Sequence, residues 1–575
     1  MPRVVRVLPD VPAIDKAFDY LVPDELGDQV RVGTMVRIAL HGRRVGGWVV
    51  ADGVEPPPGI GLKPLAKVTG WGPTPDLLDL ARWASWRWAG RPASFLRTAS
   101  PERAVIDLPD PASSTHPLPE VTDGLIRDAL GNRGVTVLRL PPAADCYPVA
   151  LAAAATGRAL ILVPTTSAAR HLGLRLRRAG ASVAVMPHEW ARARAGATVV
   201  GTRAAAWAPV VDLSAVVVID EHDESWQQEQ APTWHARDVV VERARRAGVP
   251  CVLVSPAPTL EALALGPLLT PPRAAERAGW PVLDIVDRRE DDPVRGSLFS
   301  ERLVRVLPRE GRVVCVLNRK GRSRLLACAS CGDIAICDQC RSSVVQDETG
   351  DLACRRCGAR RPQICLGCGS GRFKNLRAGV SRVREELEAL IREPVAEVTA
   401  ATTDADLSDV RVLVGTEAVL HRVDAARLVA FLDFDQELLA PRYRAAEEAL
   451  ALLVLATRLV GGRGAGGRVL VQTRLPRHEV LEAALHGDPG RVSAAEAVRR
   501  EALGFPPRTA MAVVSGPSAA AFMESFGEPL GVEVLGPSEG RWLLRAAEHR
   551  PLLDALAATP RSSGRLRIEV DPLRL

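Results

Sequence analysis

The 575-residue chain reads as a multidomain α/β protein. Its expected parts are a small N-terminal β domain, two parallel α/β lobes, a four-cysteine zinc-ribbon insertion and a small α+β C-terminal domain. Three observations predict this. Short alternating runs punctuated by Gly and Pro fill residues 1–52. From Val135 onward strand-like and helical runs alternate in two successive sets, the pattern of parallel strands joined by helical crossovers. Between those sets, eight of the eleven cysteines lie between Cys328 and Cys368. The length suits roughly three to five domains. The expected boundaries are 1–108, a linker at 109–130, a first lobe at 131–290, a second at 291–475 with the zinc module at 325–372, and a C-terminal domain at 476–575.

The N-terminal runs are Val4–Leu8, Phe18–Val22, Thr34–Leu40 and Gly46–Val50, followed by the Pro/Gly loop Glu55–Gly61. Thr74-Pro75 has the form of a helix start, a capping hydroxyl before a proline. That helix carries Trp83, Trp86 and Trp88, and Pro109–Pro119 reads as a linker. The first lobe's strands are expected at Val135–Leu140, Ala159–Val163, Ser182–Met186, Thr198–Gly201, Ala215–Ile219 and Pro250–Val254, with helices at Ser167–Ala179 and Ala236–Ala247. In the second lobe helices are expected at Val380–Ile391 and Tyr443–Arg458, and strands at Val395–Thr399, Val410–Val414, Leu428–Leu432 and Arg468–Gln472. The chain closes on a strand-like Arg565–Val570.

The formal net charge is +6, and only five of the basic residues are lysines: Lys16, Lys63, Lys67, Lys320 and Lys374. Such a balance permits a nucleic-acid partner without requiring one. The most apolar run, Ala449–Ala456, is too short to span a membrane, and the N-terminus has no signal-peptide core, so a soluble cytoplasmic protein is expected.

The eight clustered cysteines form four Cys-x-x-Cys pairs, Cys328/Cys331, Cys337/Cys340, Cys354/Cys357 and Cys365/Cys368. In a large cytosolic chain this points to metal rather than disulfides, and the regular pairs favour zinc over an iron–sulfur cluster. Four pairs make two closed four-thiolate sites, for which three pairings exist. The segment between the middle pairs has strand, turn and strand character (Ser342–Val345, Asp347–Gly350, Asp351–Ala353), and a hairpin brings its ends together. This favours a nested arrangement: Cys337, Cys340, Cys354 and Cys357 on one zinc, and Cys328, Cys331, Cys365 and Cys368 on the other. Glycine after Cys331, Cys357 and Cys368 fits a tight knuckle turn. Closed four-thiolate sites are structural, with no open position for catalysis. Cys146, Cys251 and Cys315 read as small core residues. Two basic runs flank the cluster, Arg319–Arg324 and Arg355-Arg356 with Arg360-Arg361, and are candidates for phosphate contact.

Motifs on both lobes carry a resemblance. Val199–Ala205, Val216–Asp223 and Trp234–Asp238 resemble the first lobe of the PriA family of primosomal replication-restart helicases. Phe18-Asp19-Tyr20-Leu21-Val22-Pro23 resembles that family's N-terminal DNA-binding domain. The nested cysteines, Val414-Gly415-Thr416-Glu417 and Leu503–Arg508 resemble its second lobe and C-terminal domain. The resemblance implies helicase-like lobes and two zinc ions. It also implies recognition and remodelling of abandoned replication forks, primosome assembly and reloading of the replicative helicase. The implied partners are forked DNA, primosome and helicase-loading proteins and single-stranded DNA-binding protein. Phe18, Asp19 and Lys63 match positions that bind the 3′ end of a nascent strand.

The chain departs from that family where ATP is handled. A P-loop needs glycines and a Gly-Lys-Ser/Thr end. Here the stretch is Leu138–Tyr147, with Cys146 and Tyr147 in place of Lys and Thr, and no lysine lies between Lys67 and Lys320. Asp145 would repel phosphate. Ile219 replaces the first acid of the metal-binding motif. The arginine-finger element reads Leu459–Gly466, keeping Gly462-Arg463 but losing its Gln and second Gly-Arg. Gly462, Gly464 and Gly467 match a dinucleotide fingerprint only in spacing, since they follow a helix and precede a strand. Where the family carries a winged helix, only the linker 109–130 stands. The expectation is therefore a fork-binding, primosome-assembly protein without helicase activity, in which ATP is not a cofactor. The alternatives are an active ATP-dependent 3′–5′ helicase with a divergent nucleotide site, and a zinc-ribbon adaptor that binds only proteins.

Overall fold

The computed structural model describes residues 3–575 apart from 13, 56–58, 60, 112–116, 292–296, 318–324, 348, 376–379, 399–401, 403–409 and 562–563. The first sheet has the strand order Lys63–Pro64, Phe18–Leu21, Val4–Pro9, Arg43–Asp52, Met35–Leu40, Lys67–Gly70. All neighbours are antiparallel except the first two. Alternation sends Val5, Val7, Val36, Ile38 and Val49 into one apolar core and Arg6 and Arg37 away from it. Tyr20 donates to the Ala39 carbonyl at 3.1 Å, which joins the second and fifth strands across the curled sheet.

The helices Pro75–Arg87 and Pro92–Ala99 join this domain to the first lobe. Thr74 stands at the N-cap position, but its hydroxyl makes no capping bond, and Pro75 alone sets the helix start. The tryptophans explain themselves as packing. Trp83 meets Trp88 edge-on at 5.3 Å, and the chain of rings continues through Phe95 to Trp207 and Trp234 of the first lobe. Aromatic contacts of this kind add about 0.5–1.5 kcal/mol each beyond burial.

The first lobe holds seven parallel strands, in the order Leu268–Leu269, Val135–Leu138, Cys251–Val254, Leu213–Ile219, Arg158–Leu162, Thr198–Gly201, Val183–Val185. The second holds six, in the order Val282–Asp287, Arg468–Thr473, Leu428–Phe431, Val313–Val316, Val412–Gly415, Val395–Val398, also parallel. Their near-continuous Val/Leu/Ile runs follow from burial on both faces.

Two strands of the second sheet escaped the sequence reading. Val313–Val316 is a short central strand. Val282–Asp287 pairs along its length with Arg468–Thr473, so the second sheet draws on residues ahead of the expected boundary at 291. The helices Glu479–His486 and Gly490–Leu503, expected in the C-terminal domain, bury Val480, Leu481 and Val492 in the second lobe's core. Residues 124–130 of the expected linker fall in the helix Gly124–Gly131, which Asp123 caps through the Leu125 and Ile126 amides and which packs on the first lobe.

The C-terminal sheet is antiparallel, ordered Val532–Ser538, Arg541–Ala546, Ala510–Ser515, Arg567–Val570. It folds back onto the helix Pro75–Arg87. Trp86 donates to Asp554 at 2.8 Å, and Arg87 pairs with Asp571 at 2.6 Å, which also meets His549 at 2.7 Å. No helix among the described residues is long and apolar enough to cross a membrane.

Candidate functional site

The turn after strand Val135–Leu138 leads into the helix Tyr147–Ala155, whose N-terminus occupies the place of a phosphate-binding helix end. Here the chain fills that place itself. The Asp145 carboxylate accepts from the Tyr147 amide at 2.9 Å and takes Arg175 bidentately at 3.0 and 2.6 Å. The hydrogen bond from Arg175 holds Asp145 below the usual carboxylate range. Arg175 also lies over the Tyr147 ring, 3.9 Å from its centre. Pro148 removes a further amide donor from the first turn. Burial, with the nearby Asp220 charge, pushes the Cys146 thiol up to about 12, so it is a neutral side chain where a phosphate site needs a cation.

The acidic motif is equally occupied. Asp220 follows strand Leu213–Ile219 in a left-handed conformation (φ 59°), uncommon for a residue with a side chain. Its carboxylate receives both terminal nitrogens of Arg458 from the second lobe, one at 2.7 Å. Burial alone would raise the Asp220 carboxyl, but Arg458 outweighs it and holds it below its ordinary value. The Arg458 Nε also reaches the Pro142 carbonyl at 3.4 Å, so this one side chain spans the turn and the acidic motif.

Glu221 is fully buried. It accepts from Arg237 at 2.8 Å and from the Thr259 hydroxyl and amide at 2.7 and 3.2 Å. His222 meets the Ser255 hydroxyl at 2.9 Å. Arg463, from the expected arginine-finger element, stays within its own lobe, 3.4 Å from the Leu485 carbonyl. The residue that crosses is Arg458, which sequence reading missed. Its signal was a lone cation in the apolar run Ala449–Val460.

A cavity of about 210 Å³ lies between the lobes beside this pair. Its lining includes five arginines, each already matched to a carboxylate. Arg237 pairs with Glu221, Arg442 with Glu437 and Glu448, Arg444 with Glu261, Arg458 with Asp220, and Arg574 with Glu224.

The cysteines come together in two groups of four. Cys328, Cys331, Cys365 and Cys368 form one and Cys337, Cys340, Cys354 and Cys357 the other, with the sulfurs of each within 4.8 Å of one another. Close sulfur pairs lie 3.4–3.6 Å apart. Thiolates at about 2.3 Å from a tetrahedral ion would be roughly 3.8 Å apart, so both sets fit zinc.

The inner group sits at the end of the hairpin Val344–Gln346 and Leu352–Cys354, whose register sets Val344 opposite Cys354. Each knuckle closes with an amide-to-carbonyl bond, from Gly332, Arg341, Gly358 and Gly369. Three of these turns have glycine at positive φ, and the fourth forces Arg341 to φ 63°. Of the flanking basic runs, Arg319–Arg324 lies outside the described residues. In the other, Arg355 and Arg360 are exposed. Arg356 instead reaches the Tyr443 carbonyl (3.4 Å) and Glu496 (3.6 Å), and Arg361 donates to the Ile336 carbonyl at 3.2 Å.

In the N-terminal sheet, Phe18 is half-buried against the apolar core and Asp19, the next residue along the strand, points the other way. Asp19 is held by Arg6 at 2.8 and 3.1 Å and is only 9% exposed. Lys63 is exposed, opposite Tyr20 on the neighbouring strand. The three residues thus share two adjacent strands but not one face.

A family model described as the 3'DNA-binding domain (3'BD) of PriA matches residues 6–101. The replication restart protein PriA of Treponema pallidum (strain Nichols) is 29% identical over 61% of this chain. That of Bacillus subtilis (strain 168) is 28% identical over 62%. The matched regions span 58% and 49% of those two relatives' own lengths. The probable replication restart protein PriA of Mycobacterium tuberculosis (strain ATCC 25618 / H37Rv) is 29% identical over 92% of this chain and 89% of that protein. Among solved structures, a DEAD box protein from Methanococcus jannaschii aligns over 63% of this chain and 89% of its own at 10% identity, with a TM-score of 0.32. With the N-terminal domain matched by its own model and the mycobacterial relative aligned over 92% of the chain, the chain is similar to PriA replication restart proteins along most of its length.

Proposed function

We propose that this protein acts in replication restart as a fork-binding and primosome-assembly factor that does not use ATP. On this reading it binds branched or forked DNA, remodels it and promotes reloading of the replicative helicase, with primosome proteins and single-stranded DNA-binding protein as partners. Two zinc ions hold the cysteine module as structural elements. Phe18, Asp19 and Lys63 engage the 3′ end of a nascent strand, with Arg6 sharing the Asp19 carboxylate.

The observation that carries the reading is the cleft filled by Arg458, Asp220, Asp145 and Arg175. A nucleotide needs an unpaired cation and open amides for its phosphates, and a carboxylate free for magnesium. Arg458 and Arg175 have spent their charge on Asp220 and Asp145, and Glu221 is enclosed by Arg237 and Thr259.

Binding of the full-length protein to fluorescent forks and to linear duplex of equal length tests the DNA part. Tighter binding to forks, weakening as salt rises, is expected. Equal, salt-insensitive binding to both would contradict it and favour an adaptor that binds only proteins. End recognition is tested by comparing forks that end in a 3′-hydroxyl with forks that end in a 3′-phosphate. Equal affinity for the two would remove the role of Asp19.

A further inference from the structure

The N-terminal sheet carries cations on the face turned away from its core. Arg37 lies directly opposite Lys67 on the edge strand, and opposite Gly46 on its other side. Two residues further along, Ala39 lies opposite Arg44. Side chains two apart on a strand share a face, so Arg37, Lys67 and Arg44 project together. All three are exposed, and among the described residues no carboxylate forms an ion pair with any of them. The acid nearest Gly46 is Asp10, already held by Arg97 at 2.5 and 2.8 Å. Gly46 and Ala39 interleave with the cations, so nothing bulky rises between them.

Like charges directly opposite each other destabilise an antiparallel pair. A lone lysine on the edge strand would suffice to prevent sheet-to-sheet association. Arg37, one strand further in, adds repulsion without adding to that protection, and an anion bound between the two cations would offset it. The step from Arg37 to the Ala39/Arg44 position is about 7 Å along the strand, close to the separation of neighbouring phosphates on one nucleic-acid strand. The Tyr20–Ala39 hydrogen bond brings this strand beside Phe18–Leu21, whose neighbour carries Lys63.

We infer that Arg37, Lys67 and Arg44 form a phosphate track that holds the sugar–phosphate backbone of a DNA strand, separately from any recognition of its terminal base. This rests on the DNA-binding reading above. The contacts carry no sequence information and set position and salt sensitivity.

The test uses the full-length protein, fluorescent forks and a series of salt concentrations. It compares wild type, the double variant Arg37→Gln/Lys67→Gln, Arg44→Gln, and the control Arg550→Gln, an exposed side chain on the C-terminal helix His549–Ala558. Each track cation removed should lower the slope of log affinity against log salt by about 0.7–0.9. The change should be the same for 3′-hydroxyl and 3′-phosphate forks, and the control should match wild type. The double variant should melt no lower than wild type, because a repulsive pair is gone. A wild-type affinity and slope retained in the double variant would overturn the track while leaving DNA binding standing. Salt-insensitive or absent binding by wild type would overturn the DNA-binding reading itself.

Discussion

Arg458 lies in the helix Ala445–Val460, among Leu453, Val454, Ala456 and Val460 of its core face, yet its guanidinium leaves that lobe to meet Asp220. Removing one partner of a mostly buried pair leaves the other desolvated and unmatched. Arg458 is 31% exposed, so Arg458→Ala should cost about 2–3 kcal/mol, below the top of the range for fully enclosed pairs. Denaturant unfolding of Arg458→Ala, Asp220→Ala and the double variant measures it, and the double should lose less than the sum of the singles. A second residue-scale prediction concerns Arg341, the non-glycine in a left-handed knuckle turn. Its side chain is exposed, and only its amide closes the knuckle. Relief of about 1–2 kcal/mol of left-handed strain, less the entropy cost of glycine, should make Arg341→Gly more stable by about 0.5–1 kcal/mol. A lower melting temperature for this variant would show that the arginine has a second role in the knuckle. Sequence alone marked three knuckles by their glycines and left the fourth unmarked, because nothing local distinguishes a strained arginine from an ordinary one.

The two cysteine groups differ as elements. Cys337, Cys340 and Cys354 are buried, and their hairpin is tied to the second lobe by Ser342 and Ser343 bonding to Leu439 and Ala440 and by Arg356 bonding to Tyr443. In the outer group Cys331 and Cys368 are exposed, as are Ile364 and Leu366 around Cys365. Elemental analysis should find two zinc ions per chain, and a chelator should remove the outer one first. Cys337→Ser should lower the main unfolding transition, whereas Cys368→Ser should leave it near wild type. The reverse order would contradict this division of roles. The nested pairing was legible from the hairpin between the middle pairs. The difference between the groups was not, because it depends on the loop at Leu439 and Ala440, about a hundred residues away. The strand Val282–Asp287 was hidden for a similar reason: its partner among the described residues, Arg468–Thr473, lies nearly two hundred residues further along the chain.

Across the whole molecule, charged clusters join the parts. Arg87 links Asp571 to Asp238 on the first lobe, and Arg444 and Arg500 meet Glu261 across the lobe boundary. Burial acts to raise the carboxyls of Asp220, Asp238, Glu261 and Asp571, but their arginine partners outweigh it and hold all four below their ordinary values. A carboxyl depressed in the folded state adds stability above its unfolded value, about 4, and loses it as pH falls. Unfolding free energy should therefore decline steadily from about pH 5 to pH 3, and a flat profile there would mean the junctions contribute little. The layered order of the molecule, its parallel lobes and its cysteine module could be read from periodicity and spacing. The self-filled cleft could not, since Asp220 and Arg458 meet only once both lobes have folded. Whether that cleft turns over nucleotide is read from phosphate release by the zinc-loaded wild-type protein given ATP, magnesium and forked DNA. No release above the DNA-free background is expected. Fork-stimulated release that disappears in an Asp220→Ala/Glu221→Ala variant would contradict that expectation.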